Sequence, residues 1–125
     1  MKLLIVDDDA DLREMLQEHF EAHFECEVLT AGSARNALEL LQTEQPEGML
    51  LDVNLGARLN GFDVLARARE VSPGTKVIMV TGVNDLASIE KAREMGAVDY
   101  LTKPFTVEYL EDTVATKIAK HLIYA

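Results

Sequence analysis

The sequence has little cysteine and little positive charge, and both shortages narrow the range of functions. Cys26 is the one cysteine among 125 residues, so no internal disulfide can form and the paired cysteines of a zinc site are missing. Lysine and arginine total 12 against 22 aspartates and glutamates, for a formal net charge of -10. Such an acidic surface repels nucleic-acid phosphates and anionic membranes. We therefore expect no direct contact with nucleic acid or membrane. The acidic surface would instead suit a protein partner with a basic surface.

Long apolar runs are also missing. The apolar stretch of residues 3–6 is shorter than the core of a signal peptide and leads directly into aspartates. No part of the sequence approaches the length of a membrane span. The sequence therefore predicts a cytoplasmic protein.

Short apolar segments alternate with segments of helical periodicity along the chain. The short segments are rich in Val, Ile, Leu and Met without regular polar alternation, which is typical of strands covered on both faces. The predicted strands are residues 3–6, 27–30, 48–51, 76–80 and 98–101. Between and after them, apolar residues recur at helical spacing, including Leu16 and Phe20, Ala37 and Leu41, Val64 and Leu65, Ile89 and Ala92, and Val114 and Ile118.

Five strands alternating with five helices predict an α/β fold with a doubly wound, mostly parallel sheet. For a five-stranded domain of this size we expect the flavodoxin-like strand order 2-1-3-4-5. Ser33, Asn84 and Thr106 are the expected N-caps of three helices, and Gly96 lies where a C-terminal glycine belongs. Sheets of this kind bind ligands at the carboxyl ends of their strands, at the switch point between the first and third strands.

Residues capable of chemistry stand at the carboxyl ends of four predicted strands. They are Asp7, Asp8 and Asp9 after the first, Asp52 and Asn54 after the third, Thr81 and Gly82 after the fourth, and Lys103 and Pro104 after the fifth. Because these ends meet at one edge, Asp7, Asp8 and Asp52 should lie close together. Crowded carboxylates must protonate, pair with a lysine or bind a cation. Since all the available ligands are oxygens, the pattern favours a hard divalent cation such as Mg²⁺.

A carboxylate beside such a cation can accept a phosphoryl group as an aspartyl phosphate. The transfer needs in-line placement and positive or donor groups around the phosphoryl oxygens. Mg²⁺, Lys103 and Thr81 could supply these groups, while Gly82 leaves space and could offer a backbone N–H. Simpler roles are available singly: Asp9 is expected to cap the first helix, and Asp52 alone could be an ordinary strand-end residue. The inference depends on the joint placement at four strand ends.

Six stretches in fixed order resemble the motifs of the response regulator receiver family. They are residues 4–9 (LIVDDD), 49–55 (MLLDVNL), 60–65 (NGFDVL), 77–82 (VIMVTG), 96–101 (GAVDYL) and 103–105 (KPF). The stretches span nearly the whole chain, so the resemblance implies that residues 1–125 form one receiver domain. It implies a signalling domain that promotes only its own phosphorylation and dephosphorylation, rather than an enzyme with a separate substrate.

The resemblance also assigns roles to the acidic edge. Asp52 is implied to be the phosphoacceptor, and Asp7 and Asp8 are implied to be the acidic pair that binds Mg²⁺. Asn54 would offer its backbone carbonyl to the metal. The implied phosphodonor is a sensor histidine kinase or a phosphotransfer protein.

Further roles concern contact with the phosphoryl group and the signalling that follows it. Thr81 and Lys103 match the hydroxyl and the lysine that contact the phosphoryl group, and Tyr100 matches the aromatic switch residue. The bond between Lys103 and Pro104 is commonly cis in the family. The usual output face is the fourth helix, fifth strand and fifth helix, which would act on an output domain or a downstream protein and could form a homodimer.

The loop after Asp52 departs from the family pattern. Many receivers have a proline two residues after the position of Asn54, where this chain has Gly56, and residues 55–60 read as one residue longer than usual. Glycine lacks the φ restriction of proline, so the loop shape and the phosphoryl lifetime can differ. We expect Arg58 in this loop to be a solvated side chain.

Three other functions fit parts of the pattern. A haloacid-dehalogenase-like hydrolase uses an Asp-x-Asp motif on its first strand, which residues 7–9 satisfy, but no region is left for its cap and Asp52 would have no task. A flavin-binding domain needs a phosphate-cradling loop in place of these aspartates. A receiver-like interaction module that is not phosphorylated is the main alternative. The sequence fits both a stand-alone regulator and the first domain of a longer protein.

The predicted first helix carries a pair of histidines. His19 and His23 lie four residues apart, which is a spacing found in metal sites, but no third ligand is evident. We expect them to be ordinary, partly exposed histidines.

Overall fold

The sheet has the predicted topology. The computed structural model describes residues 1–56, 59–82 and 84–123. Within these ranges, five parallel strands are hydrogen-bonded in the order β2-β1-β3-β4-β5. They are β1 (Lys2–Val6), β2 (Glu27–Ala31), β3 (Gly48–Asp52), β4 (Lys76–Thr81) and β5 (Asp99–Thr102). Each predicted strand is present, with its ends shifted by no more than one residue.

Helices connect the strands and cover both faces of the sheet. They are α1 (Ala10–His23), α2 (Ala34–Glu44), α3 (Gly61–Val71), α4 (Leu86–Glu94) and α5, a continuous helix over residues 107–123. Asp9 caps α1, as expected, and Ser33 and Thr106 cap α2 and α5. In the described ranges, no helix has both the length and the apolar character needed to cross a membrane.

The N-cap of α4 corrects one prediction. Asn84 was the expected cap, but its φ of 65° places it in the left-handed region, whereas an N-cap residue ordinarily has an extended backbone. Asp85 caps the helix instead, because its Oδ1 accepts a hydrogen bond from the Ser88 N–H at 3.2 Å.

Helix α5 departs from regular α-helical winding. It consists of the α-helical turns Val107–Tyr109 and Ala115–Ile118 and the π-helical turns Leu110–Val114 and Ala119–Ile123. Its buried residues Leu110, Val114 and Ile118 are spaced by four, and such a row drifts around a helix of 3.6 residues per turn. The wider π turns, with hydrogen bonds from i to i+5, offset this drift and keep the apolar row against the sheet.

Two apolar layers enclose the sheet. On β1, Leu3 and Ile5 belong to the layer under α1 and α5, whereas Leu4 and Val6 belong to the layer under α2 and α3. Both sides of the strand are therefore buried, which explains why its sequence shows no polar alternation. The carboxyl ends of the strands remain accessible at one edge of this packed sheet.

Gly61 supports a specific stability prediction. A Cβ added to Gly61 would overlap the carbonyl oxygen of Asp52 and lie 2.8 Å from the Cα of Val53. Because both are backbone atoms of the packed sheet edge, they cannot yield easily. We expect Gly61→Ala to lower the free energy of unfolding by about 1–3 kcal/mol, as measured by urea denaturation followed by circular dichroism.

The matched control is Gly74→Ala. Among the described residues, no heavy atom lies within 4 Å of a Cβ added there, so the free energy of unfolding should change by less than about 0.5 kcal/mol. Equal losses in the two variants would contradict the close packing of Gly61.

Candidate functional site

Three carboxylates meet at the carboxyl edge of β1 and β3. One oxygen from each of Asp7, Asp8 and Asp52 lies within 4.8 Å of the others. The side chains differ in exposure, since Asp7 and Asp52 are 3% and 5% exposed and Asp8 is open to solvent. In the part of the chain that the structure describes, this is the only group of three potential metal-ligating side chains so closely spaced. The structure thus brings together the three aspartates singled out in the sequence.

Backbone hydrogen bonds fix the turn between β1 and α1. The Asp7 N–H donates to the Ala31 carbonyl at 3.2 Å, which continues the pairing of β1 with β2 by one residue. The Asp9 N–H donates to Asp7 Oδ1 at 2.9 Å. Asp9 Oδ1 in turn accepts from the N–H groups of Asp11 and Leu12 at 3.0 and 3.2 Å. The turn that carries the acidic pair is therefore held at both of its ends.

Lys103 reaches the cluster from the end of β5. Its Nζ lies 2.9 Å from Asp7 Oδ2 and 2.8 Å from Asp52 Oδ2. Its backbone N–H donates to the Thr81 carbonyl at 2.9 Å, and its bond to Pro104 is cis. Burial lowers the pKa of Lys103, but the two carboxylates outweigh burial and hold that pKa above its ordinary value. The ammonium therefore stays charged at neutral pH.

The carboxylate of Asp52 is destabilised in its ionised form. Burial raises its pKa, and the nearby charge of Asp7 raises it further. Hydrogen bonds from Lys103 Nζ and from the Asn54 N–H, which lies 3.0 Å from Asp52 Oδ1, oppose this effect only in part. The net result is a pKa above the ordinary aspartate value. The protein thus holds Asp52 among compensating donors without fully stabilising its negative charge.

Thr81 presents a buried hydroxyl that no described residue contacts by a hydrogen bond. It ends β4 and is 2% exposed, and its Oγ1 has no hydrogen-bond partner within the described residues. A buried polar group left unsatisfied is costly, so this hydroxyl is suited to a partner that comes from outside the chain. The next residue, Gly82, is exposed, and a Cβ added there would meet no described atom within 4 Å. Space is therefore available at the position that follows Thr81 in the chain.

The loop after β3 lies close to Asp8. Gly56 has a φ of 68°, and a Cβ added to it would lie 3.1 Å from Asp8 Oδ2. A proline, whose φ is fixed near -65°, cannot adopt this backbone conformation. Gly56 therefore gives this loop a backbone conformation that a proline at the same position would not allow. Arg58, from the same loop, lies outside the described residues.

Tyr100 lies inside β5 and pairs with Met79 of β4. Lys117 Nζ lies 4.4 Å from the centre of its ring and 2.9 Å from Asp99 Oδ1, and it also donates to the Tyr100 carbonyl. His121 Nε2 lies 2.8 Å from Asp99 Oδ2. Burial alone would raise the pKa of Asp99, but hydrogen bonds from Lys117 and His121 outweigh it and lower the pKa overall. The residue assigned to switching is therefore joined to α5 by a charged network.

Sequence reasoning overlooked Arg13. Its Nη1 donates to the Asp7 carbonyl at 2.6 Å from the first half of α1. The available signal was its position, four residues after the N-cap Asp9 and hence one turn above the acidic residues.

The histidine pair on α1 forms no metal centre with a third residue. The rings of His19 and His23 lie 4.4 Å apart, and among the described residues no third ligand joins them in a close group. Burial, together with His23, lowers the pKa of His19.

Comparison with known proteins identifies the family. The family model for the response regulator receiver domain matches residues 3–115. Sporulation initiation phosphotransferase F of Bacillus subtilis is 30% identical over 113 residues, which cover 90% of this chain and 90% of that protein. Heme response regulator HssR of Staphylococcus saprophyticus is 38% identical over 108 residues, which cover 86% of this chain and 46% of that protein. The chain thus spans less than half the length of some curated relatives.

Solved structures agree with the sequence relatives. The response regulator domain of Thermotoga maritima CheB superposes with a TM-score of 0.86 at 25% identity, covering 98% of this chain and 96% of that one. The receiver domain of NtrX from Brucella abortus has a TM-score of 0.81 at 29% identity, covering 94% and 98% of the two chains. The chain therefore belongs to the response regulator receiver family of two-component signal transduction.

Proposed function

We propose that residues 1–125 form one receiver domain that accepts a phosphoryl group on Asp52 in a Mg²⁺-dependent reaction. The observation that carries this proposal is the convergence of three carboxylates and Lys103 at the strand ends. At the end of the neighbouring strand β4, the hydroxyl of Thr81 has no hydrogen-bond partner among the described residues. The same residues argue against the alternative of a module that is never phosphorylated, because each of the groups needed for phosphoryl transfer is present at one edge.

The donor set fits Mg²⁺. Its members are oxygens, and three of them lie within 4.8 Å of one another; Mg²⁺ commonly uses one or two protein carboxylates together with water and a substrate phosphate. We assign Asp7, Asp8, Asp52 and the backbone carbonyl of Asn54 to this ion. When bound, Mg²⁺ would offset the carboxylate charge and stabilise negative charge on the phosphoryl oxygens.

Asp52 acts as the nucleophile. One of its carboxylate oxygens forms a bond to phosphorus while the bond between phosphorus and the donor breaks, and the donor leaves with that electron pair. An imidazole leaving group takes up a proton, whereas acetate leaves as the anion. Lys103 stays charged during this step because its pKa is raised. Its Nζ already contacts Asp52 Oδ2 at 2.8 Å, so a short movement brings the ammonium to an incoming phosphoryl oxygen.

Thr81 then binds the phosphoryl group through its hydroxyl. A phosphoryl group adds about -1.5 to -2 charges and three acceptor oxygens, and the hydroxyl of Thr81 has no competing partner among the described residues. Movement of Thr81 toward the phosphoryl group would alter the packing between β4 and β5, where Tyr100 lies. The face formed by α4, β5 and α5 is accordingly the proposed output surface, and the proposed site of any homodimer.

Partners follow from this role. A sensor histidine kinase or a phosphotransfer protein would supply the phosphoryl group, and an output domain or a downstream protein would receive the signal. The relative named a phosphotransferase has nearly the length of this chain, whereas HssR is about twice as long, so both a phosphorelay and a fused output agree with the family. We propose a cytoplasmic location for this exchange.

Phosphorylation can be tested directly with acetyl phosphate and Mg²⁺. We expect intact-mass spectrometry to show one added phosphoryl group on the wild-type protein and none after Asp52→Asn or with EDTA, because the acceptor or the cation is then missing. Asp11→Asn is the matched control, since it removes an exposed carboxylate from the start of α1 and should keep the adduct. An adduct that survives Asp52→Asn would refute the acceptor, and a wild-type protein that takes up neither phosphoryl nor beryllofluoride would refute the function.

The raised pKa of Asp52 predicts a pH-dependent gain in stability on substitution. The folded state holds a proton on Asp52 more tightly than the unfolded state does, so the stability from this group is present at low pH and is lost as the pH rises through the folded-state pKa. In EDTA at neutral pH, Asp52→Asn should therefore raise the urea midpoint. The gain should shrink in acid, where the wild-type carboxyl is itself neutral.

Added Mg²⁺ provides the second arm of this experiment. The ion should raise the urea midpoint of the wild-type protein more than that of Asp52→Asn, because one of its carboxylate ligands is gone in the variant. If Asp52→Asn is less stable than wild type in EDTA at neutral pH, the claim that the fold raises the pKa of Asp52 is wrong.

Substitution of two buried threonines, Thr81 and Thr75, should change the free energy of unfolding in opposite directions. Thr81→Val removes a hydroxyl without a described partner, so we expect the free energy of unfolding to rise by about 1 kcal/mol while beryllofluoride binding weakens several-fold. Thr75 is equally buried, but its Oγ1 donates to the Pro46 carbonyl at 2.6 Å. Thr75→Val should therefore destabilise the fold by about 1–3 kcal/mol without weakening beryllofluoride binding. Equal destabilisation in urea would show that the hydroxyl of Thr81 has a partner.

A further inference from the structure

Arg13 reaches from α1 back to the acidic turn. Its Nη1 donates to the backbone carbonyl oxygen of Asp7 at 2.6 Å, in a partly buried position. That carbonyl belongs to the peptide unit that joins Asp7 to Asp8. Because the peptide unit is planar, the orientation of this carbonyl also limits the direction in which the backbone enters Asp8. A single hydrogen bond thus acts on both members of the acidic pair.

Among the described strands, no pairing register extends to the carbonyl of Asp7. The registers of β1 end at Val6, which faces Ala31 of β2 and Leu51 of β3. Beyond Val6, the Asp7 N–H still donates to the Ala31 carbonyl at 3.2 Å. Arg13 supplies the bond on the carbonyl side, so Asp7 is fixed through both of its backbone polar groups.

Gly32 provides the space for the guanidinium. A Cβ added to Gly32 would lie 2.9 Å from Arg13 Nη1, 3.2 Å from Cζ and 3.3 Å from Nη2. Any larger residue would crowd the guanidinium. Gly32 directly follows Ala31, whose carbonyl accepts the hydrogen bond from the Asp7 N–H. The end of β2 and the residue after it therefore contact both the Asp7 backbone and the guanidinium of Arg13.

We propose that Arg13 is a positioning residue for the divalent-cation site, holding the peptide between Asp7 and Asp8 while Gly32 leaves room for its side chain. This inference rests on the proposed function. It predicts a change in Mg²⁺ affinity opposite to the one that charge alone would cause, because a positive side chain near a cation site repels the cation. If charge dominated, loss of Arg13 would tighten Mg²⁺ binding; if positioning dominates, loss of Arg13 weakens it.

The test measures Mg²⁺ affinity by isothermal titration calorimetry on the full chain. We expect Arg13→Gln to weaken binding by about tenfold, as for other residues that orient metal ligands. Arg13→Lys keeps one donor and the charge and should recover part of this loss. Gly32→Ala should weaken binding as well, since it displaces the guanidinium without removing it. Urea denaturation of each variant shows that the protein used is folded, and Gly32→Ala carries the test if Arg13→Gln does not fold.

Arg35→Gln is the matched control for charge. Arg35 lies in the first turn of α2, after the same strand end as Gly32. Its side chain is 89% exposed and has a 3.8 Å ion-pair contact with Glu39. Its removal takes away one positive charge without touching Asp7, so Mg²⁺ binding should be unchanged or slightly tighter.

Kinetics with acetyl phosphate separate positioning from a general loss of structure. In Arg13→Gln, the larger part of the defect should be a higher Mg²⁺ concentration for half-maximal phosphorylation, with a smaller fall in the rate at saturating Mg²⁺. Equal or tighter Mg²⁺ binding by Arg13→Gln, or an equal loss in Arg35→Gln, would overturn the inference and leave the proposed function standing. A wild-type protein that does not bind Mg²⁺ would overturn both.

Discussion

The crowding of three carboxylates at one sheet edge is the constraint on which the site depends. Asp7 follows β1 and Asp52 ends β3, and these two strands are hydrogen-bonded neighbours, so the backbones of the two residues cannot move apart without breaking the sheet. Both are buried, where their repulsion is poorly screened. Lys103 offsets part of this cost through contacts of 2.9 and 2.8 Å. Burial and the charge of Asp7 nevertheless hold the pKa of Asp52 above its ordinary value, so an additional positive charge would stabilise the ionised Asp52 carboxylate.

The same edge also carries the groups to which we assign the response to a phosphoryl group. Thr81 ends β4 next to β5, and the backbone N–H of Lys103 is bonded to the carbonyl of Thr81 at 2.9 Å. A displacement of either residue is therefore transmitted to the other through one short hydrogen bond. Beyond them, Tyr100 and Asp99 connect β5 to Lys117 of α5. A local change in charge thus has a continuous physical route to the proposed output surface.

Most of the fold could be predicted because it follows from periodicity and strand ends. The convergence of Asp7, Asp8 and Asp52 needed only the strand order and the rule that parallel strands present their carboxyl ends together. Details that depend on individual torsions or on long side chains could not be predicted. Asn84 and Asp85 are both good capping residues, and the left-handed φ of Asn84 decides between them. The contact of Arg13 with Asp7 depends on a side chain folding back along its helix, and the π turns of α5 depend on packing against the sheet.

The double contact of Lys103 has a consequence for the order of events. One ammonium is the counter-ion of both Asp7 and Asp52. Under the proposed function, a divalent cation held by these two carboxylates would take over part of this task and would loosen the contacts of Lys103. A phosphodonor that arrived before the metal would meet a lysine still engaged by Asp7 and Asp52, whereas one that arrived afterwards would meet a more mobile ammonium. The domain would in this way act as a coincidence detector, which answers to a donor only when the cation is already in place.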